Sequence, residues 1–399
     1  MKISAVETVR VAEHPNTLFV RVHTDAGLVG LGDTWRLVDT TESFVHKVAA
    51  PYLLGQDPFA IERHWRVLYR AGGQSGLRSA EIQGISAIDI ALWDLFGQAQ
   101  QLPVYRLLGG PTYDKVRIYN TCAGYRYGGA KPAGVDATYT DGRAAGPYED
   151  LDAWKTDAGK LARDLLSEGV AAMKIWPFDQ FGPETHGQWI TAEQIDRGLT
   201  PFRQIRDAVG NQMDVALEMH SVWNLPSAIR IAKAVEPFDP LWFEDPIRMD
   251  NLDALAEFKA STHVPTTASE TLATRYAFRE MMEKRAVSIV MLDCGWVGGL
   301  SEAKKIANLA EAHHLPIAPH DCTGPVNYVA DVHLDFAVTN VYVQETVRAY
   351  IHGWYAELVT ALPRIENGFV YPPEGPGLGT ALKPEVLLRT DTTVTVTER

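Results

Sequence analysis

Residues 291–322 read MLDCGWVGGLSEAKKIANLAEAHHLPIAPHDC, and the reading of this stretch decides the fold. The apolar run just before and into it, SIVML at 288–292, has the length of a buried strand and delivers Asp293 at its end. A glycine-rich turn, Gly295 to Gly299, opens a helical pattern over 301–313, and a second short run, LPIAP at 315–319, delivers His320. The unit is strand–helix–strand, with an acid and a histidine at the carboxyl ends of successive parallel strands. Those ends carry the chemistry in parallel barrels and sheets. An aspartate that orients a histidine and holds its proton-accepting form is a recurring general-base device.

Working outward, the same unit recurs from Val116 onward. Strand ends are expected at 116–121, 171–176, 215–220, 240–245, 264–270, 288–293, 316–320 and 340–345, with helical patterns such as AWKTDAGKLARDLLSEG between them. This alternation predicts an α/β protein built on a modified (β/α)8 TIM barrel. An open doubly wound sheet is disfavoured, because the pattern has no break and no glycine fingerprint for a dinucleotide. Two units are oversized, at 126–150 and 177–192, and loops of that length on the catalytic face commonly serve as walls or lids. Ahead of the barrel, residues 1–32 alternate as a hairpin or meander, and 42–70 and 79–97 are helical, with Pro51 marking a kink or break. The expected organisation is an α+β capping domain over 1–113, a (β/α)7β-like barrel over 114–368 that carries the site, and a segment over 369–399 that returns to the cap.

Composition narrows the class of partner. At 399 residues the chain exceeds one ordinary core, and 46% hydrophobic with 22% charged residues describes a globular chain. A formal charge of −13 with no basic stripe argues against a nucleic-acid partner. No window is long and apolar enough for a membrane span, and the opening MKISAVETVRV reads as a strand, not a signal peptide. Cys122, Cys294 and Cys322 form no CxxC pair, which suits free, buried thiols in a reducing, cytoplasmic setting.

Ionisable residues cluster at the expected strand ends: Lys174, Glu218 with His220, Glu244 with Asp245, Glu270, Asp293, His320 and Glu345. Glu218, Glu244 and Glu270 close three adjacent strands, and neighbouring strands lie roughly 5 Å apart. Three carboxylates that close need a cation, and all-oxygen ligation suits Mg²⁺. Glu218 and His220 stand two apart, so an extended backbone would aim both to one side. His320 with Asp293 behind it is the expected base, His220 the acid, and Lys174 an electrostatic partner for a developing anion. His313 and His314 sit at a helix end and are assigned to the surface. Trp176, Trp223 and Trp296 follow strand ends and are expected to wall a pocket or fill core. Arg70, Arg78 and Arg126 are possible substrate contacts that no spacing argument selects.

With these residues in view the chain resembles the mandelate racemase-like branch of the enolase superfamily. The likeness rests on ISAIDIALWDLFG and LPVYRLLGG in the cap, WFEDP at 242–246, DCGWVGGLSEAKKIA at 293–307 and the PPEGPGLG tail. It implies Mg²⁺ held by Glu218, Glu244 and Glu270, a His320–Asp293 dyad, an eighth-strand acid at Glu345, and specificity loops over about 17–36 and 69–78. It also implies a homo-oligomer, a dimer or an octamer. Two departures carry information. The family often has Lys-x-Lys at the second strand, whereas Lys174-Ile175-Trp176 lacks the second base, and the first metal ligand is commonly Asp where Glu218 stands. Acid-sugar dehydratases resembling galactonate and mannonate dehydratases carry a histidine two residues after that ligand, as His220 does, and use it as general acid.

The expected activity is therefore Mg²⁺-dependent dehydration of an aldonic or related acid sugar to a 2-keto-3-deoxy acid, a hydro-lyase reaction. A cycloisomerase or epimerase acting on a sugar acid or its lactone is the alternative, and a non-catalytic binding protein the remote one.

Overall fold

The computed structural model describes residues 1–71, 79–125, 127, 146 and 148–399. Arg78, Arg126, most of the 126–150 excursion and all but the start of the 69–78 loop lie outside them. Alternation over residues 3–35 becomes an antiparallel meander of β1 (Ile3–Val11), β2 (Thr17–Thr24) and β3 (Val29–Trp35). Its buried face packs on the long helix Ala80–Gln100, whose sequence is apolar almost all round and is accordingly buried on most of its surface. Contact is backbone to backbone at two glycines. A Cβ on Gly30 or Gly32 would stand 2.0 Å from the carbonyl oxygen of Ala91 or Ala87. Pro51 does not end its helix. A π turn over Val45–Ala49 precedes it, so the altered hydrogen-bond register meets the missing proline N–H.

The barrel follows from the alternating short apolar runs. Its strands are β4 (Val116–Thr121), β5 (Ala172–Ile175), β6 (Asp214–Glu218), β7 (Phe243–Glu244), β8 (Thr266–Ala268), β9 (Ile289–Leu292), β10 (Ile317–Pro319) and β11 (Gln344–Thr346). They pair in parallel in chain order, β11 returns to β4, and a parallel bridge between Ile317 and Val341 closes the ring. Tyr119, Ala172, Ala216, Trp242, Ile289, Met291, Ala318 and Val343 fill its interior, so the barrel is a packed core and not a pore. After β11 the chain makes only short helical turns, Arg348–Ile351 and Trp354–Leu358. Two further short strands, β12 (Ile365–Glu366) and β13 (Phe369–Val370), form a hairpin against β4. The chain then crosses to the cap. The N–H of Leu378 donates to Asp94, and β14 (Thr392–Glu398) pairs antiparallel along β1.

Cap and barrel are joined by buried aspartates of the cap that bond to the starts of barrel helices. Asp33, at the end of β3, accepts from the N–H groups of Val326 (3.0 Å) and Asn327 (2.7 Å) at the start of barrel helix Pro325–Asp335. Asp89, on the long cap helix, accepts from the N–H of Ser301 (2.9 Å) in helix Gly299–Ala312. Both satisfy donors that a helix start leaves orphaned. Trp65 and Trp93 add indole donors to Gly298 O and Ser301 Oγ. None of the described helices is long and apolar enough to cross a membrane.

Replacing Asp33 by Ala strands two buried N–H donors at a helix start, so the expected loss is about 2–4 kcal/mol of stability. Urea unfolding followed by far-UV circular dichroism measures it, and a loss below about 0.5 kcal/mol would mean that Asp33 does not tie the domains.

Candidate active site

Each expected site residue sits where its strand ends. Lys174 is on β5, Glu218 and Glu244 close β6 and β7, Glu270 follows β8, Asp293 follows β9, His320 follows β10 and Glu345 lies in β11. The parallel register sets Glu218 opposite Glu244. Lys174 Nζ is the hub of the cluster: it pairs with Glu244, lies 3.0 Å from Glu345 Oε1 and 3.5 Å from Glu218 Oε2, and is only 3% exposed. Burial works against its charge, yet Glu244 and Glu345 hold its ammonium well above the usual lysine range. Glu244 moves the other way. Burial first, then the Glu218 charge, drives it toward the protonated form in spite of Lys174. Glu345 also accepts from Thr121 Oγ1 and from the N–H of Asp321 at 3.0 Å.

The His320–Asp293 dyad is formed. His320 Nδ1 is 2.8 Å from Asp293 Oδ2, and the other Asp293 oxygen accepts from the N–H of Gly295 at 2.8 Å. Burial disfavours the His320 imidazolium, but the Glu345 charge, the Asp293 bond and the Glu270 charge outweigh it and hold His320 up to about 9. His220 reaches the site by a different route from the one expected. β6 ends at Glu218, and His220 and Ser221 take left-handed backbone, φ 41° and 56°, so the pleat does not aim the imidazole. Instead a tight turn folds the N–H groups of Met219 and His220 onto Glu218 Oε1, at 2.9 and 2.5 Å. Its imidazole then meets a partner that no sequence signal marked: Asp179 Oδ2 lies 2.5 Å from His220 Nδ1. Asp179 belongs to the long loop after β5, where no periodicity or spacing singles out one acid.

Asp245 is the second residue whose role the sequence left unassigned. It is buried, with left-handed φ of 40°, and accepts from Ser269 Oγ at 2.9 Å. Burial and then the Glu270 charge push its carboxyl well above the usual range. The walls are aromatic. Trp176 stands edge-on to His220 at 5.6 Å with Tyr127 behind it at 5.4 Å, and Trp296 lies 5.9 Å from His320. From the cap, Trp35 stacks on Trp296 at 6.1 Å and Thr34 donates to Gly295 O. Trp223 is buried away from these rings on a cavity of about 530 Å³ beside Ser221 and Asp179. A cavity of about 630 Å³ near Tyr105, Arg364 and Tyr371 contains none of the site residues, so size does not mark the chemistry. His313 and His314 are exposed, and Arg70 lies on an exposed helix end. All three cysteines are free, Cys122 and Cys294 buried and Cys322 half-buried.

The donor set suits a hard divalent ion. Among the described residues, Lys174 is the only lysine or arginine paired with any of Glu218, Glu244, Glu270, Asp245 and Glu345. Among the described residues, Glu270 Oε2 and Asp245 Oδ1 are buried acceptors without a hydrogen-bond partner. Orphaned carboxylate oxygens beside a buried carboxyl pair leave negative charge that a cation would offset. The side chains form no closed three-ligand set among the described residues, and Lys174 Nζ lies against two of the three glutamates, Glu244 and Glu218.

Two family descriptions match the chain: "Mandelate racemase / muconate lactonizing enzyme, N-terminal domain" over residues 3–109, and "Enolase C-terminal domain-like" over 157–386. The chain is 33% identical over 394 residues to a D-galactonate dehydratase of Ralstonia pickettii (strain 12J), covering 95% of this chain and 91% of the relative. A crystal structure of an enolase of the mandelate racemase subgroup from Agrobacterium tumefaciens is 44% identical, with TM-score 0.87 over 100% of this chain and 99% of that one. An enolase protein from environmental sequencing of the Sargasso Sea is 39% identical, with TM-score 0.88 and the same coverage.

The carboxylates that hold His320 protonated are the ones a divalent ion would neutralise. In metal-free protein, NMR of the imidazole is expected to show His320 titrating near pH 9. Saturating Mg²⁺ should lower that midpoint by about one unit or more, because added positive charge disfavours the imidazolium. An unmoved midpoint would place any bound ion elsewhere.

Proposed function

Because the chain belongs to the mandelate racemase / muconate lactonizing enzyme family of the enolase superfamily, we propose that it is a Mg²⁺-dependent hydro-lyase. It dehydrates an aldonic or related acid sugar to the 2-keto-3-deoxy acid. One observation carries the reading. Two histidines, each held by its own aspartate, follow the third and seventh of eight barrel strands, on opposite sides of the ring that carries the carboxylate cluster.

In this mechanism Asp293 accepts a hydrogen bond from the Nδ1–H of His320, which leaves Nε2 as the proton acceptor toward the α-carbon. The N–H of Gly295 and the hydroxyl of Thr323 keep Asp293 oriented. His320 removes the proton alpha to the carboxylate. His220, held as a proton donor by Asp179, delivers a proton to the β-hydroxyl as its C–O bond breaks, and water leaves. The resulting enol becomes the 2-keto acid by taking a proton at C3. Glu218, Glu244 and Glu270 would hold Mg²⁺, which when bound stabilises negative charge developing on the substrate carboxylate. Lys174 favours the charged forms of Glu345 and Glu218 beside that position. The wall next to His220 is Trp176, not a second lysine, so the two-lysine-and-histidine arrangement of a racemase has no counterpart at that position.

The test is a library of acid sugars incubated with Mg²⁺, read by 2-keto acid formation and by proton NMR in D2O. Product lacking one water supports dehydration, product of unchanged mass apart from deuterium supports isomerisation, and no 2-keto acid from any member would sink the proposal. His320→Asn should abolish exchange of the α-proton while Mg²⁺ binding changes little. His220→Asn should retain exchange but lose about 10²–10⁴-fold in dehydration, the usual contribution of a positioned acid. Equal loss of both steps in the His220 variant would contradict its role as acid.

A further inference from the structure

Aim as much as basicity decides what His320 can do, and its aim is set through Asp293. Both oxygens of that carboxylate are held. Oδ1 accepts from the N–H of Gly295 at 2.8 Å, while Oδ2 meets His320 Nδ1 at 2.8 Å and the Thr323 hydroxyl at 3.4 Å. One further side chain touches both holders. Asn327, in the first turn of helix Pro325–Asp335, donates from Nδ2 to Thr323 Oγ1 and to Asp331 Oδ2, each at 2.9 Å. A donor on the Thr323 oxygen leaves that hydroxyl's own hydrogen for Asp293. The amide also packs on the Gly295 turn: a Cβ at Gly295 would stand 2.9 Å from Asn327 Oδ1 and 3.1 Å from Asp293 Oδ1.

What an asparagine supplies here is its donors. Asn327 is fully buried, and its Oδ1 has no hydrogen-bond partner among the described residues. An unmet buried acceptor costs stability that a leucine of similar volume would not, so packing does not account for this residue type. The backbone of the same residue is anchored by the cap. Its N–H donates to Asp33 Oδ1 at 2.7 Å, and the next cap residue, Thr34, donates to Gly295 O at 3.0 Å. Consecutive residues of β3 thus brace the two groups that hold the two Asp293 oxygens, one by way of Asn327 and Thr323, the other by way of Gly295. Asp33, Thr34, Thr323, Asn327 and Asp293 are all buried, so water is not at hand to replace a broken link.

We propose that Asn327 is a positioning residue for proton abstraction, one that aims the Asp293–His320 dyad through Thr323. This rests on the assignment of His320 as the base above and adds what orients it.

The test sets Asn327→Leu, Thr323→Val and the double variant beside Thr323→Ser, with Asn327→Ala taking the place of the leucine variant if circular dichroism shows that one unfolded. Turnover of galactonic acid, or of the acid sugar that wild type converts fastest, is measured with Mg²⁺. The Asn327 and Thr323→Val variants are each expected to lose about 10–100-fold in kcat with KM within about threefold, the signature of a misaimed base and not of lost binding. Thr323→Ser keeps the hydroxyl and should stay within about threefold of wild type. Because Asn327 works through Thr323, the double variant should lose no more than about threefold beyond the worse single variant. Losses that multiply, or an Asn327 variant with wild-type kcat, overturn the proposal. A second readout needs no substrate. In protein labelled with ¹⁵N-histidine, the His320 signals are assigned by their loss in His320→Asn. Its Nδ1 proton should exchange with solvent about tenfold faster in the Asn327 variant, the factor that one net hydrogen bond is worth. An unchanged exchange rate also overturns the proposal. If wild type converts no acid sugar, the hydro-lyase reading falls, and the exchange rate alone decides the role of Asn327.

Discussion

Lys174 touches glutamates from the third, fourth and eighth barrel strands in a space that excludes water. Taking so many carboxylates out of water is expensive, and one ammonium offsets only part of the cost. The rest of the site is arranged around that imbalance. One carboxyl of the Glu218–Glu244 pair is driven toward its neutral form, Asp245 likewise, and both histidines are drawn toward their charged forms. The same excess of negative charge that strains the site makes it receptive to a hard dication, and makes its imidazoles respond to one.

Two successive strand ends hold backbone strain to achieve this. His220, Ser221 and Asp245 all lie at positive φ, where only their packing holds them. The cap contributes support from outside. Asp33 and Asp89 are spent on barrel helix starts, and the β3 strand they stiffen ends in Trp35, against Trp296, against His320. A register set by sheet hydrogen bonds in the cap is thus passed to the wall of the site through three aromatic rings.

Much of this could be read from the sequence, for definite reasons. The eight strand ends were legible because short apolar runs alternated with helical periods, and a regular spacing placed an ionisable group on all but the first. The His320–Asp293 contact was legible because neighbouring parallel strands leave their terminal residues side by side. What escaped was governed by turns. His220 was expected to follow the strand pleat beyond Glu218, but the strand stops there and a left-handed turn positions the ring. Asp179 sits in an aperiodic loop whose fold depends on what it packs against. Asp33 and Asp89 look like ordinary strand and helix polar residues until the other domain's helix starts arrive.

The pairing of β14 with β1 joins stretches that flank the whole barrel in the chain. During synthesis the meander leaves the ribosome before the barrel, while its outer edge partner is made only after the entire barrel. Until then β1 presents a row of unpaired backbone groups, the kind of edge that recruits foreign strands. The cap is thus sealed last although it is translated first, and a nascent or truncated chain is most exposed to misassembly along that one edge.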